Sequence, residues 1–297
     1  MIDLWNPQAQ TLEGAGAVLL TATILGMVHG VTPDEHTWPI TFSYAVGSYS
    51  TKGGMRAGLL FSLAFTVQRA IASELAYFAL ARILEQERWE YFIYTVVGLV
   101  MAASGFYVLS RGSIPHLFHV HPIGADAARP PESEAMPRLW GYMPLVHGFI
   151  AGWGTGAFAL IVYATLAPAM HSPWLAFLPG LFFGLGTMVM QVLLGGALGA
   201  WMARRRLPES AMKRLAQIVS GQTLAYGGIA FAVAGAVGLF DPALFAWSFD
   251  TGIRVHNLAH LGVGFLLVVV VVFVIAGHAF YRGLRAVEGM QPRHPGL

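Results

Sequence analysis

The chain contains no cysteine. That absence excludes disulfides, thiolate metal ligands, cysteine nucleophiles and a CxxC redox pair together. Histidine, carboxylate and methionine remain as metal ligands, with 11 His and 12 Met among 297 residues. Charge is also scarce: 11% of residues are charged, against about 25% in a soluble domain. With 56% hydrophobic residues and a mean hydropathy of +0.61, the chain reads as one whose solvent is the lipid bilayer. The net charge of +2 and pI near 9.0 call for no nucleic-acid partner; the basic residues read instead as topology signals. The first thirty residues carry no Lys or Arg. A secretory signal peptide needs a basic start and a small-residue cleavage site, so the first apolar run is expected to remain as a span.

A bilayer core takes about 20 apolar residues per helix. Seven runs qualify, near 14–32, 57–83, 91–110, 142–170, 174–203, 215–239 and 257–281. Segment 33–56 is too polar at its start for a simple span and reads as a broken helix or a re-entrant segment. With the N-terminus outside, thirteen basic residues fall inside: Lys52, Arg56, Arg111, Arg129, Arg138, Arg204, Arg205, Arg206, Lys213, Arg214, Arg282, Arg285 and Arg293. Only Arg82, Arg88 and Arg254 fall outside, and Arg69 lies within a span. This bias predicts an all-α polytopic protein of about seven helices, N-out and C-in, in the cytoplasmic membrane. The expected organisation is a first transmembrane half over 1–110, a cytoplasmic His-containing linker over 111–141, and a second half over 142–297. The spans divide three and four, and "LVHG" at 145–148 echoes "MVHG" at 27–30. Transporters are often built from two related halves with the site between them.

The densest chemistry is "MVHGVTPDEHTWP", residues 27–39. On a continuous helix Pro33 cannot bond the carbonyl of His29, nor Pro39 that of Glu35, and each ring kinks the helix. The segment thus offers freed carbonyls beside His29, Asp34, Glu35 and His36. Imidazole with carboxylate suits nickel, cobalt, zinc or iron, and carbonyls freed at a broken membrane helix hold cations. The plainer alternative is a cytoplasmic loop in which Thr32 or Asp34 caps the next helix.

"HGVTPDEHTWP" resembles the first-helix signature of the nickel/cobalt transporter superfamily, a His, four residues, then Asp-His. Here the His is His29 and the Asp is Asp34, with Glu35 inserted before His36. "GLLFSLAFT" at 58–66 is similar to the family's second-helix "FSLGHS" region, with Ala64 and Phe65 in place of its His and Ser. "VHG" at 146–148 resembles the start of the family's second half, without the acidic "DTATE" stretch that follows there. The resemblance implies a membrane transporter of a divalent transition metal (Ni, Co or Zn as substrate, with no organic cofactor). It also implies a site of His29, Asp34 and His36, with His147 as a candidate fourth ligand.

Several other groups have metal-ligating chemistry. "HNLAH" sets His256 and His260 at i and i+4, a spacing that shares one helix face and can chelate zinc. Seven spans with such a pair in the last helix are loosely similar to the alkaline ceramidase type of membrane hydrolase, a second functional reading; two interfacial histidines are the plainer one. "HLFHVH" places His116, His119 and His121 in the linker, a short tract that reads as metal capture or as an interfacial patch. Arg69 and Glu74 lie inside the second span, five residues apart and so on different faces, where charges usually face inward and find partners. Arg69 is expected to neutralise Asp34 or Glu35 when no metal is bound, or to serve a structural ion pair. An exporter of a small molecule or anion, with Arg69 and the histidines serving its cargo, is the third reading. Gln191 and Gln222 read as interhelical hydrogen-bonders. Glycines 148, 152, 154 and 156 read as close-approach positions. The partners expected are the bilayer and the cation, with a homo-oligomer or partner subunit left open.

Overall fold

The computed structural model describes residues 14–80, 87–111, 142–154, 156–205, 207–245, 247–252 and 260–288. Most of them are helical. The helices are α1 (Ala15–Val31), α2 (Trp38–Gly47), α3 (Thr51–Leu75, extended by a π-helical turn at Ala76–Leu80), α4 (Glu87–Arg111) and α5 (Met143–Ala151). They continue with α6 (Ala157–Ile161, extended by a π-helical turn at Val162–Leu166), α7 (Phe177–Ala203), α8 (Glu209–Phe240), α9 (Val263–Val269) and α10 (Ala276–Glu288). A π-helical turn at Val270–Ile275 joins the last two. Strands β1 (Ser248–Asp250) and β2 (His260–Gly262) form a small antiparallel hairpin before α9.

Five helical stretches are long and apolar enough to cross a membrane: Thr51–Phe78, Arg88–Ser110, Phe177–Ala203, Glu209–Phe240 and Val263–Val287. Two more, Ala15–Val31 and Phe158–Met170, are apolar but shorter. The outer surface agrees with a lipid environment. Leu59, Leu63, Val67 and Ile71 form an exposed stripe at four-residue spacing along α3, and Leu185, Val189 and Leu193 form one along α7. The opposite face of α3 buries Ser62, Gln68 and Arg69. Apolar outside and polar inside is the arrangement a bilayer selects. The chain is therefore a multi-pass α-helical membrane protein.

The runs read from the sequence compare with the structure at three places along the chain. At the first, α1 ends within the run drawn near 14–32: it stops at Val31 because Thr32 precedes Pro33 and is extended, with φ −73° and ψ 141°. Pro39 does not kink α2; it occupies the first turn, where its missing N–H has no helical partner. At the second, the run near 142–170 is divided into α5 and α6 around Gly152, Gly154 and Gly156, residues that favour a helix poorly. The third place is the last run. The sequence reading continues a helix through His256 and His260, but His260 lies in β2 paired to Asp250, and the helix begins at Val263.

Close packing along α7 fixes where the first break lies. A Cβ on Gly26 would meet the Phe183 carbonyl at 1.9 Å, and one on Gly30 would meet Met190 Cβ at 2.8 Å. Residue order increases together on the two helices, so α1 and α7 run parallel. The Gln191 amide donates to the Gly30 carbonyl at 3.1 Å and its oxygen accepts from Thr41 at 2.6 Å. The break at 32–37 is thereby held against the middle of α7. Beyond it, Val46 of α2 shares an apolar cluster with Met202 at the far end of α7. Two short helices and a break thus lie end to end along one long helix.

α3 and α7 cross antiparallel through a contact made twice. A Cβ on Gly58 would lie 2.2 Å from the Gln191 carbonyl, and one on Gly180 would lie 2.0 Å from the Arg69 carbonyl. The two helices share the pattern "GLLFSLAFTVQR" at 58–69 and "GLFFGLGTMVMQ" at 180–191, in which Gly58 aligns with Gly180 and Arg69 with Gln191. Just as α1 lies on α7, α5 lies on α3: a Cβ on Gly148 would meet the Phe61 carbonyl at 2.0 Å. The α3–α7 crossing is thus flanked by two interrupted helices, α1 laid on α7 and α5 laid on α3.

Candidate metal centre

Asp34, Glu35 and His36 occupy the break between α1 and α2. One donor atom from each lies within 4.8 Å of the others. Turn hydrogen bonds hold the segment: the Trp38 N–H donates to the Asp34 carbonyl at 3.0 Å, and the His36 N–H to Asp34 Oδ1 at 2.9 Å. Asp34 therefore caps its own turn. Thr37 stands at the cap position of α2 without a side-chain hydrogen bond to it. The His29 carbonyl, which Pro33 leaves without its helical donor, accepts from Thr32 Oγ1 at 3.3 Å.

His29 reaches the cluster from the last turn of α1, with Nδ1 3.6 Å from Asp34 Oδ2. His36 Nδ1 lies 3.8 Å from Asp34 Oδ1 and 3.9 Å from Glu35 Oε1. The structure thus brings together His29, Asp34, Glu35 and His36. These side chains are 5%, 4%, 19% and 3% exposed, so Glu35 is the open edge of the group. Nε2 of both His29 and His36 is buried with no hydrogen-bond partner. A buried polar atom without a hydrogen bond is costly; the donors close enough together to share one cation are those of Asp34, Glu35 and His36, and His29 stands outside that group. Around His29 the walls are aromatic. Its ring stacks on Phe65 at 5.7 Å between centroids and lies 5.2 Å from Phe183.

Two residues that the sequence reading passed over complete the surroundings. Glu90, in the first turn of α4, sets Oε1 3.2 Å from His36 Nε2. Tyr94, one turn further, donates to Glu35 Oε1 at 2.7 Å. The signal was present: "EYFIY" at 90–94 puts Glu90 and the Tyr94 hydroxyl four residues apart on one helix face, with Glu90 just outside the third apolar run as drawn. Gly154, in the second break, lies over the His36 ring; a Cβ there would sit 2.3 Å from Nε2. The two breaks therefore meet at His36.

The remaining candidates lie elsewhere. His147 is buried on α5 with Nδ1 3.0 Å from the Met143 carbonyl and 3.1 Å from the Tyr44 hydroxyl, and its Nε2 has no partner. It faces α2 rather than the Asp34 turn. Arg69 does not contact Asp34 or Glu35. Its Nη1 donates to the Tyr163 hydroxyl at 2.7 Å, and its guanidinium lies 4.6 Å from the Phe65 ring centre and 5.6 Å from that of Phe183. Glu74 has one buried carboxylate oxygen without a partner. His116, His119, His121 and His256 lie outside the described residues, and for His260 only the backbone is described. Of the glycines, 148, 152 and 154 are close-approach positions, while Gly156 has open space around it.

No family model, curated protein or solved structure matches this chain.

Proposed function

We propose that the protein is a transporter of a divalent transition-metal cation of the nickel or cobalt type, with His29, Asp34 and His36 as its binding residues. The carrying observation is the group of Asp34, Glu35 and His36 donors within 4.8 Å of one another, at the point where two interrupted helices meet. Asp34, Glu35 and Glu90 supply carboxylate oxygens around His36. Nitrogen with oxygen donors suits nickel, cobalt or zinc better than magnesium or calcium. The resemblance of "HGVTPDEHTWP" to the nickel/cobalt transporter signature points the same way.

In this reading the chain crosses the cytoplasmic membrane seven times, N-out and C-in. The first crossing is α1 with α2, and the fourth is α5 with α6. A site at interrupted helices between two halves is the arrangement alternating access uses. One half rocks against the other about the α3–α7 crossing, and the cation at His36 faces each side in turn. Protons compete with the metal for the imidazoles, so flux falls as pH drops below neutrality.

The test is Ni²⁺ and Co²⁺ entry into proteoliposomes carrying an internal metal-sensitive dye. Wild type admits the cations, and the His29→Ala/His36→Ala double variant loses flux by on the order of 10–100-fold or more, the scale seen when a metal site is disturbed. Wild-type vesicles no more permeable than empty ones would sink the proposal for these cations.

A further inference from the structure

Glu90 comes from α4, outside the segment that carries the signature, yet it makes the closest approach to the cluster's imidazoles. Its Oε1 lies 3.2 Å from His36 Nε2, while the carboxylates facing Nδ1 stand off at 3.8 and 3.9 Å. The Nε2 contact does not have hydrogen-bond geometry, and Nε2 is buried without a hydrogen-bond partner. The separation falls in the range of two neighbouring ligands on one metal ion: bonds of about 2.0–2.2 Å place adjacent donors roughly 2.8–3.6 Å apart between octahedral and tetrahedral geometry. The other edge of the ring fits the same arrangement. A metal-bound histidine commonly turns its second nitrogen toward a carboxylate, which fixes the ring, and Asp34 and Glu35 occupy that edge. Gly154 packs against the Nε2 edge, where any larger residue would place a Cβ 2.3 Å from the nitrogen.

We propose that the cation is held between His36 Nε2 and the Glu90 carboxylate, with Asp34 and Glu35 orienting the ring from its Nδ1 edge. This rests on the metal reading of the site and revises its ligand set: His36 stays a ligand, Glu90 of α4 is added, and Asp34 and His29 act from the Nδ1 side rather than on the cation. It also makes the cation a tie between the first broken helix and α4, so binding couples two elements that the sequence motif does not join. The ligand class is a borderline divalent cation accepting mixed nitrogen and oxygen donors.

The absence of cysteine gives a direct test. In purified full-length protein, Glu90→Cys places a lone thiol at the proposed ligand position. Added Co²⁺ is expected to produce a near-ultraviolet thiolate-to-metal charge-transfer band that wild type lacks. Glu90→Gln is expected to weaken Co²⁺ binding tenfold or more without changing the elution profile. If Glu90→Cys binds Co²⁺ without the band while Asp34→Cys shows it, the cation sits at the Nδ1 edge; the Glu90 assignment then falls and the metal reading survives. If wild type binds no Co²⁺, both fall. Should the thiol variant misfold, Glu90→His offers a second ligand substitution: a nitrogen-enriched shift of the Co²⁺ visible bands supports the assignment, and unchanged bands overturn it.

Discussion

At the scale of single residues, the least expected placement is Arg69. Its charge inside a span was legible, and so was the need for a partner. The partner was not, because Arg69 and Tyr163 are distant in sequence and no local pattern links them. The guanidinium rests among Phe65, Phe183 and Tyr163 with one hydrogen bond to the Tyr163 hydroxyl and an unpartnered Nε. Tyr163→Phe removes that bond to a charged group and is expected to destabilise the protein by about 1.5–3 kcal/mol, read as a lower thermal midpoint in detergent. An unchanged midpoint would show the bond contributes nothing. Arg69 also acts at a distance: it is a positive charge in the same low-dielectric interior as the carboxylates. Arg69→Met is expected to tighten Co²⁺ binding and Arg69→Lys to leave it near wild type. Equal affinities in both variants would show the charge is not felt at the site. His147 offers a residue-scale contrast. Its ring turns to Tyr44 and Met143, so His147→Ala is expected to weaken Co²⁺ binding less than His36→Ala; the reverse order would make His147 a ligand.

At the scale of elements, the two interruptions differ in how plainly the sequence announces them. Pro33 forces Thr32 into an extended conformation, and the end of α1 follows from that one steric rule. Hence the first break and three of its polar residues were legible together. The second break has no proline inside it. Gly152, Gly154 and Gly156 read equally well as close-packing positions in a continuous span, and two of the three do pack closely, against Gln68 and His36. Only tertiary contact shows that they also end a helix. Glu90 was missed for a related reason: it sits in the first turn of α4, and its role depends on an approach across helices that periodicity does not encode. The α3–α7 crossing is the element-level feature most exposed to test. A side chain at Gly180 would collide with backbone, the Arg69 carbonyl at 2.0 Å, which cannot yield as a flexible side chain does. Gly180→Leu is expected to cost about 1–3 kcal/mol or more and to lower the thermal midpoint, whereas Gly156→Leu, with open space around it, is expected to leave the midpoint nearly unchanged. Equal midpoints would contradict the close crossing.

At the scale of the whole molecule, the laying of α1 on α7 and of α5 on α3 was only faintly legible. The "MVHG"/"LVHG" echo marks the two broken helices, but the longer match between 58–69 and 180–191 is the one the packing uses. It gains meaning only when Gly58 meets Gln191 and Gly180 meets Arg69. The fold also places residues 48–54 and the Ala203 end of α7 on one side, with Trp174 and the β1–β2 hairpin on the other. In the N-out reading, single cysteines at Lys52 and Arg205 label with an impermeant thiol reagent only after cells are opened. Those at Trp174 and Phe249, 85% and 60% exposed, label in intact cells. The opposite pattern would invert the topology. The central claim is that a divalent metal sits where the two broken helices meet. It is tested most directly by equilibrium dialysis of the purified protein against Ni²⁺, followed by X-ray absorption at the nickel edge. The account predicts bound nickel with a nitrogen and oxygen shell and imidazole scattering that disappears in His29→Ala/His36→Ala. Nickel absent from wild type, or an unchanged imidazole signal in the double variant, would contradict it.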